Sequence, residues 1–204
     1  MLLVGLGGLW AAVTLPLTAT AFGFAQWVWV FDYSVYVEAR QWAGNPYVVF
    51  GALASLSFLT IGIALLPDLR RARSGGAVMA GLIIVGAPLT ALSYLNASER
   101  APLHFVWGWE FLVLVAVGVS GVAAAASAGR RWAIGARILL GMTLVILAAG
   151  TLALGYWPHG SLVFLAVEAI AIIAAAPRDA AFARGADAEP EGVQFRVQRP
   201  RPDQ

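Results

Sequence analysis

Apolar residues gather into six stretches, at about 3–30, 47–66, 76–96, 104–127, 134–155 and 159–176. Each is near the roughly 20 residues a helix needs to cross a bilayer. The pattern predicts an all-α polytopic membrane protein with six transmembrane helices. The first stretch has no basic residue ahead of its apolar core, which runs nearly to Phe31. That is too long for the core of a signal peptide, so it reads as a retained helix. Residues 31–46 (FDYSVYVEARQWAGNP) are short and aromatic and are expected to lie against the membrane surface. Asn45-Pro46 then starts the second helix, where proline's missing N–H does no harm. After residue 176 the apolar pattern stops, and 177–204 fill with Pro, Gly and mixed charge. Such a composition buries too little surface to offset ordering entropy. The expected organisation is a bundle over 1–176 and a disordered cytoplasmic tail over 177–204.

Composition agrees with a bilayer as solvent. Of 204 residues, 60% are hydrophobic and 12% charged, against about 25% charged in ordinary soluble domains, and mean hydropathy is +0.79. Cysteine is absent, which removes disulfides, thiolate metal sites and thiol nucleophiles. All 13 basic residues are arginine, as codon bias in a GC-rich bacterial genome would produce. The formal charge is only +2, and the arginines sit in loops and tail, so nucleic acid is not an expected partner. Their placement orients the bundle. Arg70, Arg71 and Arg73 fall in the second connection, Arg130, Arg131 and Arg137 in the fourth, and Arg178 and Arg184 open the tail; the opposite face holds Arg40 and Arg100. Under the positive-inside rule both termini are cytoplasmic in a multi-pass protein of the cell membrane.

Candidate chemistry centres on two glutamates inside apolar stretches. In "HFVWGWEF", Glu110 would lie roughly 10 Å below the outer end of the fourth helix, and Glu168 roughly 12 Å below that of the sixth. A charged, unpaired carboxylate at such depth costs several kcal/mol. Gln26, Ser55, Ser57, Thr90, Ser93, Tyr94 and Ser161 share that outer half, whereas the inner half offers little beyond Thr14, Ser120 and Thr143. Ser161, Glu168, Ala171 and Ala175 fall on one helical face, and Trp107, Glu110, Leu114 and Gly121 on another. If both faces look inward the carboxyls could meet and share a proton. Glu110 and Glu168 are therefore the candidate catalytic pair, with Trp107, Trp109, Tyr94, Ser161, Gln26, His104 and His159 as candidate ligand-binding residues. A purely structural carboxyl, hydrogen-bonded to a serine or threonine of the next helix, explains the same residues. His104 and His159 sit at outer helix ends, but His104 and Glu110 project about 120° apart. No metal or cofactor is expected, and histidines bonded to loop carbonyls are the simpler reading.

"NPYVVFGALASL", "PLHFVWGWEF" and "GSLVFLAVEA", with an arginine-bearing inner turn, resemble the bacterial six-helix membrane family catalogued as domain of unknown function 998. Members carry an acidic residue with an adjacent arginine near the start of the last helix; here Glu168 is deeper and no arginine adjoins it. The resemblance implies a fold and no activity. Trp109-Glu110-Phe111 is also similar to the Trp-Glu motif of membrane-bound terpene cyclases, which implies a buried general acid, with Glu168 as the second acidic residue. Val106 stands where those enzymes carry asparagine. Three readings follow. The first is a non-enzymatic protein binding a membrane lipid or other hydrophobic small molecule at an outward-facing Glu/Trp-lined site. The second is a proton-initiated terpene cyclase. The third is a transporter substrate-binding subunit, although the first helix shows Pro16 and threonines in place of an alanine ladder. A homo-oligomer or a partner membrane subunit is left open.

Overall fold

A computed structural model of the protein describes residues 1–19, 34–156 and 158–177. Among them every regular element is helical: α1 (Leu2–Ala19), α2 (Ser34–Ala43), α3 (Pro46–Leu53), α4 (Ser55–Arg71), α5 (Arg73–Leu95), α6 (Trp109–Ser127), α7 (Ile134–Leu154) and α8 (His159–Ala175). Among the described residues four stretches are long and apolar enough to cross a membrane: Pro46–Arg71, Arg73–Leu95, His104–Ser127 and Ile134–Leu154. Leu2–Thr18 and His159–Ala175 are apolar but shorter. Gln26, the second half of the first apolar stretch and the tail from 178 onward lie outside the described residues.

The helices close into a ring. α5 packs between α4 and α6, α7 between α6 and α8, and α1 fills the remaining gap against α8 and α4. Phe58, Ile61, Leu65, Met79, Ile83, Val117, Leu140, Leu162, Leu165 and Ile172 make its interior. The outside is no less apolar, with Leu9, Val85, Leu112, Val122, Ile138, Leu152 and Val167 exposed. Water would penalise such an exterior; hydrocarbon would not, and there close packing has to hold the helices together. At Gly121 a Cβ would strike the Leu140 carbonyl and the Thr143 side chain, so the missing methyl lets α6 lie on α7.

Local sequence explains where the helices begin and bend. Asn45 Oδ1 accepts from the Val48 amide at 3.3 Å and Pro46 opens α3, as the Asn-Pro pair predicts. Between α3 and α4 the ladder slips at Ala54. The Ser57 amide donates to the Ala54 carbonyl at 3.0 Å, and the Leu53 carbonyl accepts from Trp10 Nε1 at 3.0 Å. A side chain inserted into the ladder is a recognised cause of such a break. The fourth apolar stretch departs from expectation. It opens with a single 3-10 turn at His104–Val106; the α-helix waits until Trp109, after Gly108 at φ +87°. Glu110 therefore stands in the first turn of α6, not two turns inside it. The tight turn needs a left-handed residue, and glycine takes that conformation without a Cβ penalty.

Candidate functional site

The residues that bring Trp107 and Glu110 into place belong to the α5–α6 connection. Asn96 organises it: Nδ2 donates to the Leu92 carbonyl at 2.8 Å, Oδ1 accepts from the Leu103 amide at 3.3 Å, and its own carbonyl lies 3.2 Å from His104 Nδ1. The Gly108 amide then donates to Ser93 Oγ at 3.0 Å. The connection is thereby pinned to the last turn of α5, with Trp107 turned toward the bundle.

Three aromatic rings meet there. Tyr47 of α3 and Tyr94 of α5 have centroids 5.2 Å apart. Trp107 stands edge-on to both, at 5.2 Å from Tyr47 and 5.4 Å from Tyr94. Gly51 makes this possible, because a Cβ at that position would fall inside the Tyr94 ring. Tyr156, in the α7–α8 connection, adds a third phenol. Its hydroxyl lies 2.9 Å from that of Tyr94 and hydrogen-bonds Tyr47 as well. Glu110 is 1% exposed, and close enough for its charge to act on Tyr47 and Tyr94. His159, with no exposed surface, stacks at a tilt 5.6 Å from Tyr156. Its Nε2 lies 3.3 Å from the Phe50 carbonyl, which makes Nε2 the protonated nitrogen. Nδ1 is then a bare acceptor and meets no hydrogen-bond partner among the described residues.

The second carboxyl is elsewhere. Glu168 Oε1 accepts from Thr143 Oγ1 at 2.7 Å, while Oε2 is buried without a partner among the described residues. Thr143 sits at the level of Gly121, 11 residues along α6 from Glu110, or about 16 Å at 1.5 Å per residue. The two glutamates are thus at different depths and do not form the expected pair. The expectation failed because it counted Glu110 from His104, five residues before the helix begins.

The other candidates divide. Tyr94, Trp107 and His159 belong to the tyrosine cluster, and Glu110 lies within electrostatic reach of its Tyr94. Trp109 is 40% exposed and packs on Phe105 at 6.0 Å, on the outside of the bundle. Ser161 bonds along the α7–α8 seam, to the Leu147 carbonyl at 2.9 Å and Thr151 Oγ1 at 2.7 Å. His104 serves the connection only. Of the stripe on α8, Ser161 and Glu168 are buried but Ala175 is exposed. Tyr47 and Tyr156 were missed as site residues. Their one sequence signal is position, each being within two residues of a proline at a helix start. Among the described residues no three acidic or histidine side chains converge as metal ligands. The arrangement offers phenol hydroxyls, a carboxyl and a bare imidazole nitrogen beside ring faces, a set suited to the polar head of an otherwise apolar molecule. Family models, curated proteins and solved structures were all compared with this chain, and none matches it.

Proposed function

We propose that this is an integral membrane protein with six spans and cytoplasmic termini, and that its aromatic end binds a lipid or other hydrophobic small molecule by its polar head. The shorter α1 and α8 complete the ring of helices, and the arginine bias supports an outer-half position for the aromatic end. One observation carries the reading: Glu110 is buried at the same end of an otherwise apolar bundle as the Tyr47–Tyr94–Trp107 ring cluster, within electrostatic reach of Tyr47 and Tyr94. A carboxyl withdrawn from solvent costs stability that an apolar residue of similar size would not. Trp107 and Tyr47 are only half-buried, so the cluster reaches the surface where a ligand would enter.

A proton-initiated cyclase has no comparable support, because Trp109 faces away from Glu110 and the second acid is about 16 Å along the bundle. Native mass spectrometry in mild detergent tests the binding reading. The wild-type chain is expected to carry a retained lipid or prenyl-like adduct, and Glu110→Gln to lose it while keeping its thermal midpoint. A wild-type chain that flies without any adduct from lipid-containing detergent would sink the proposal. Orientation is tested separately. The chain has no cysteine, so Gln41→Cys should react with an impermeant thiol reagent in intact cells and Ser74→Cys only after permeabilisation.

A further inference from the structure

The end of the bundle opposite the aromatic cluster is built from two connections far apart in sequence. Ser127 Oγ, at the end of α6, donates to the Ala72 carbonyl between α4 and α5. A Cβ at Gly75 would strike the Ala123 carbonyl, so the start of α5 lies directly on the end of α6. Trp132, 3% exposed, and Ala128 anchor the α6–α7 connection in the core. This latch gathers arginines from both sides. Arg70, Arg71, Arg73, Arg130 and Arg131 are exposed, and half-buried Arg137 donates from Nε to the Ala125 carbonyl at 3.3 Å. The described residues at this end include one carboxylate, Asp68, which pairs with Arg71. Six arginines against one aspartate leave an excess of five positive charges.

Arg73 adds an independent observation. Its φ is +61°, and among the described residues it is the non-glycine residue in the left-handed region. An L-residue with a Cβ is strained there by about 1–2 kcal/mol, a cost glycine escapes. The turn carries a guanidinium at that position despite the strain, and backbone strain of this kind concentrates at functional positions.

We propose that this arginine face binds the headgroups of anionic phospholipids. The recognised chemistry is the phosphate, which guanidinium groups grip through paired N–H donors, and the source is the acidic lipid of the adjoining leaflet, held where a basic patch meets the membrane surface. Insertion topology alone requires only that arginines be on this side. Headgroup binding requires in addition that they converge in the folded protein and that the folded state be stabilised by acidic lipid.

The test uses the full chain, lipid-depleted in neutral detergent, with thermal unfolding and native mass spectrometry as readouts. Saturating phosphatidylglycerol should raise the midpoint by about 5 °C and appear as adducts, whereas phosphatidylcholine and inorganic phosphate should do neither. Arg73→Gly should keep or raise the basal midpoint, since it relieves the strained turn, yet lose a large part of the phosphatidylglycerol shift. The double variant Arg130→Gln with Arg131→Gln should lose at least as much of it without a change in basal stability. An equal shift with phosphatidylcholine, a full shift with inorganic phosphate, or variants that keep the whole shift would each overturn the proposal.

Discussion

Glu110 and Glu168 are both buried, at 1% and 3% exposure, and both lie in apolar stretches, yet their surroundings differ in kind. Glu168 is in the middle of α8, tied to Thr143 across one helix interface, with apolar side chains above and below. Glu110 begins α6 at the end of the bundle, within electrostatic reach of Tyr47 and Tyr94 in the aromatic cluster. A carboxyl of the first kind cross-links two helices in a medium where little else is directional. One of the second kind borders a surface that a molecule can reach. The difference teaches that depth in the bundle and company, not residue type, separate a carboxyl that cross-links helices from one at the end of the bundle.

The largest effect should come from Gly51→Ala, whose Cβ would collide with the Tyr94 ring. Overpacking that a backbone or ring must absorb typically costs about 1–3 kcal/mol, and the upper end is expected here, with loss of ligand adducts as Tyr94 is displaced. A variant with normal stability and normal adducts would show that the aromatic cluster is softer than its geometry implies. Next in size, Glu168→Leu should cost about 1 kcal/mol through the lost interhelical hydrogen bond, since Thr143 Oγ1 keeps the Leu140 carbonyl 2.8 Å away as a partner, without touching ligand retention, and Glu168→Gln much less. A double-mutant cycle of Glu168→Leu with Thr143→Val should return a coupling of about 0.6 kcal/mol, the usual size for interhelical hydrogen bonds in membranes. If Glu168→Leu also abolished ligand binding, the contrast between the two glutamates would collapse. Smallest in stability, at roughly 0.5–1 kcal/mol, is Tyr156→Phe, which removes the hydroxyl shared by Tyr94 and Tyr47. Its informative readout is a weakened ligand adduct beside nearly unchanged unfolding.

Much of the helical layout was legible because hydrocarbon is an undemanding solvent. Runs of Val, Leu, Ile, Ala and Gly near 20 residues predict spanning helices without reference to partners, and among the described residues four such stretches are present at full length. Asn45-Pro46 marked a helix start because a cap and a ring-locked φ act locally. The start of α6 was misjudged for an equally local reason. His104, Phe105 and Val106 are as apolar on average as the helix they precede, and only Gly108 hints that the chain turns before it becomes regular. The site was half legible: Tyr94, Trp107, Glu110 and His159 stood among its candidates, but so did Trp109, Ser161 and His104, which point elsewhere.

By itself, then, the sequence determined a helical chain with runs long and apolar enough to cross a membrane, an arginine-rich end and a polar, aromatic end, since hydropathy and charge placement are properties of composition along a line. Which polar groups meet was decided by tertiary structure. Gly51 admits the Tyr94 ring, Gly121 admits Thr143, and the Phe50 and Leu53 carbonyls are taken by His159 and Trp10 from other helices. Those contacts depend on how far apart helix axes lie and how each helix is rotated. A glycine's missing methyl sets that spacing only once its neighbour is known.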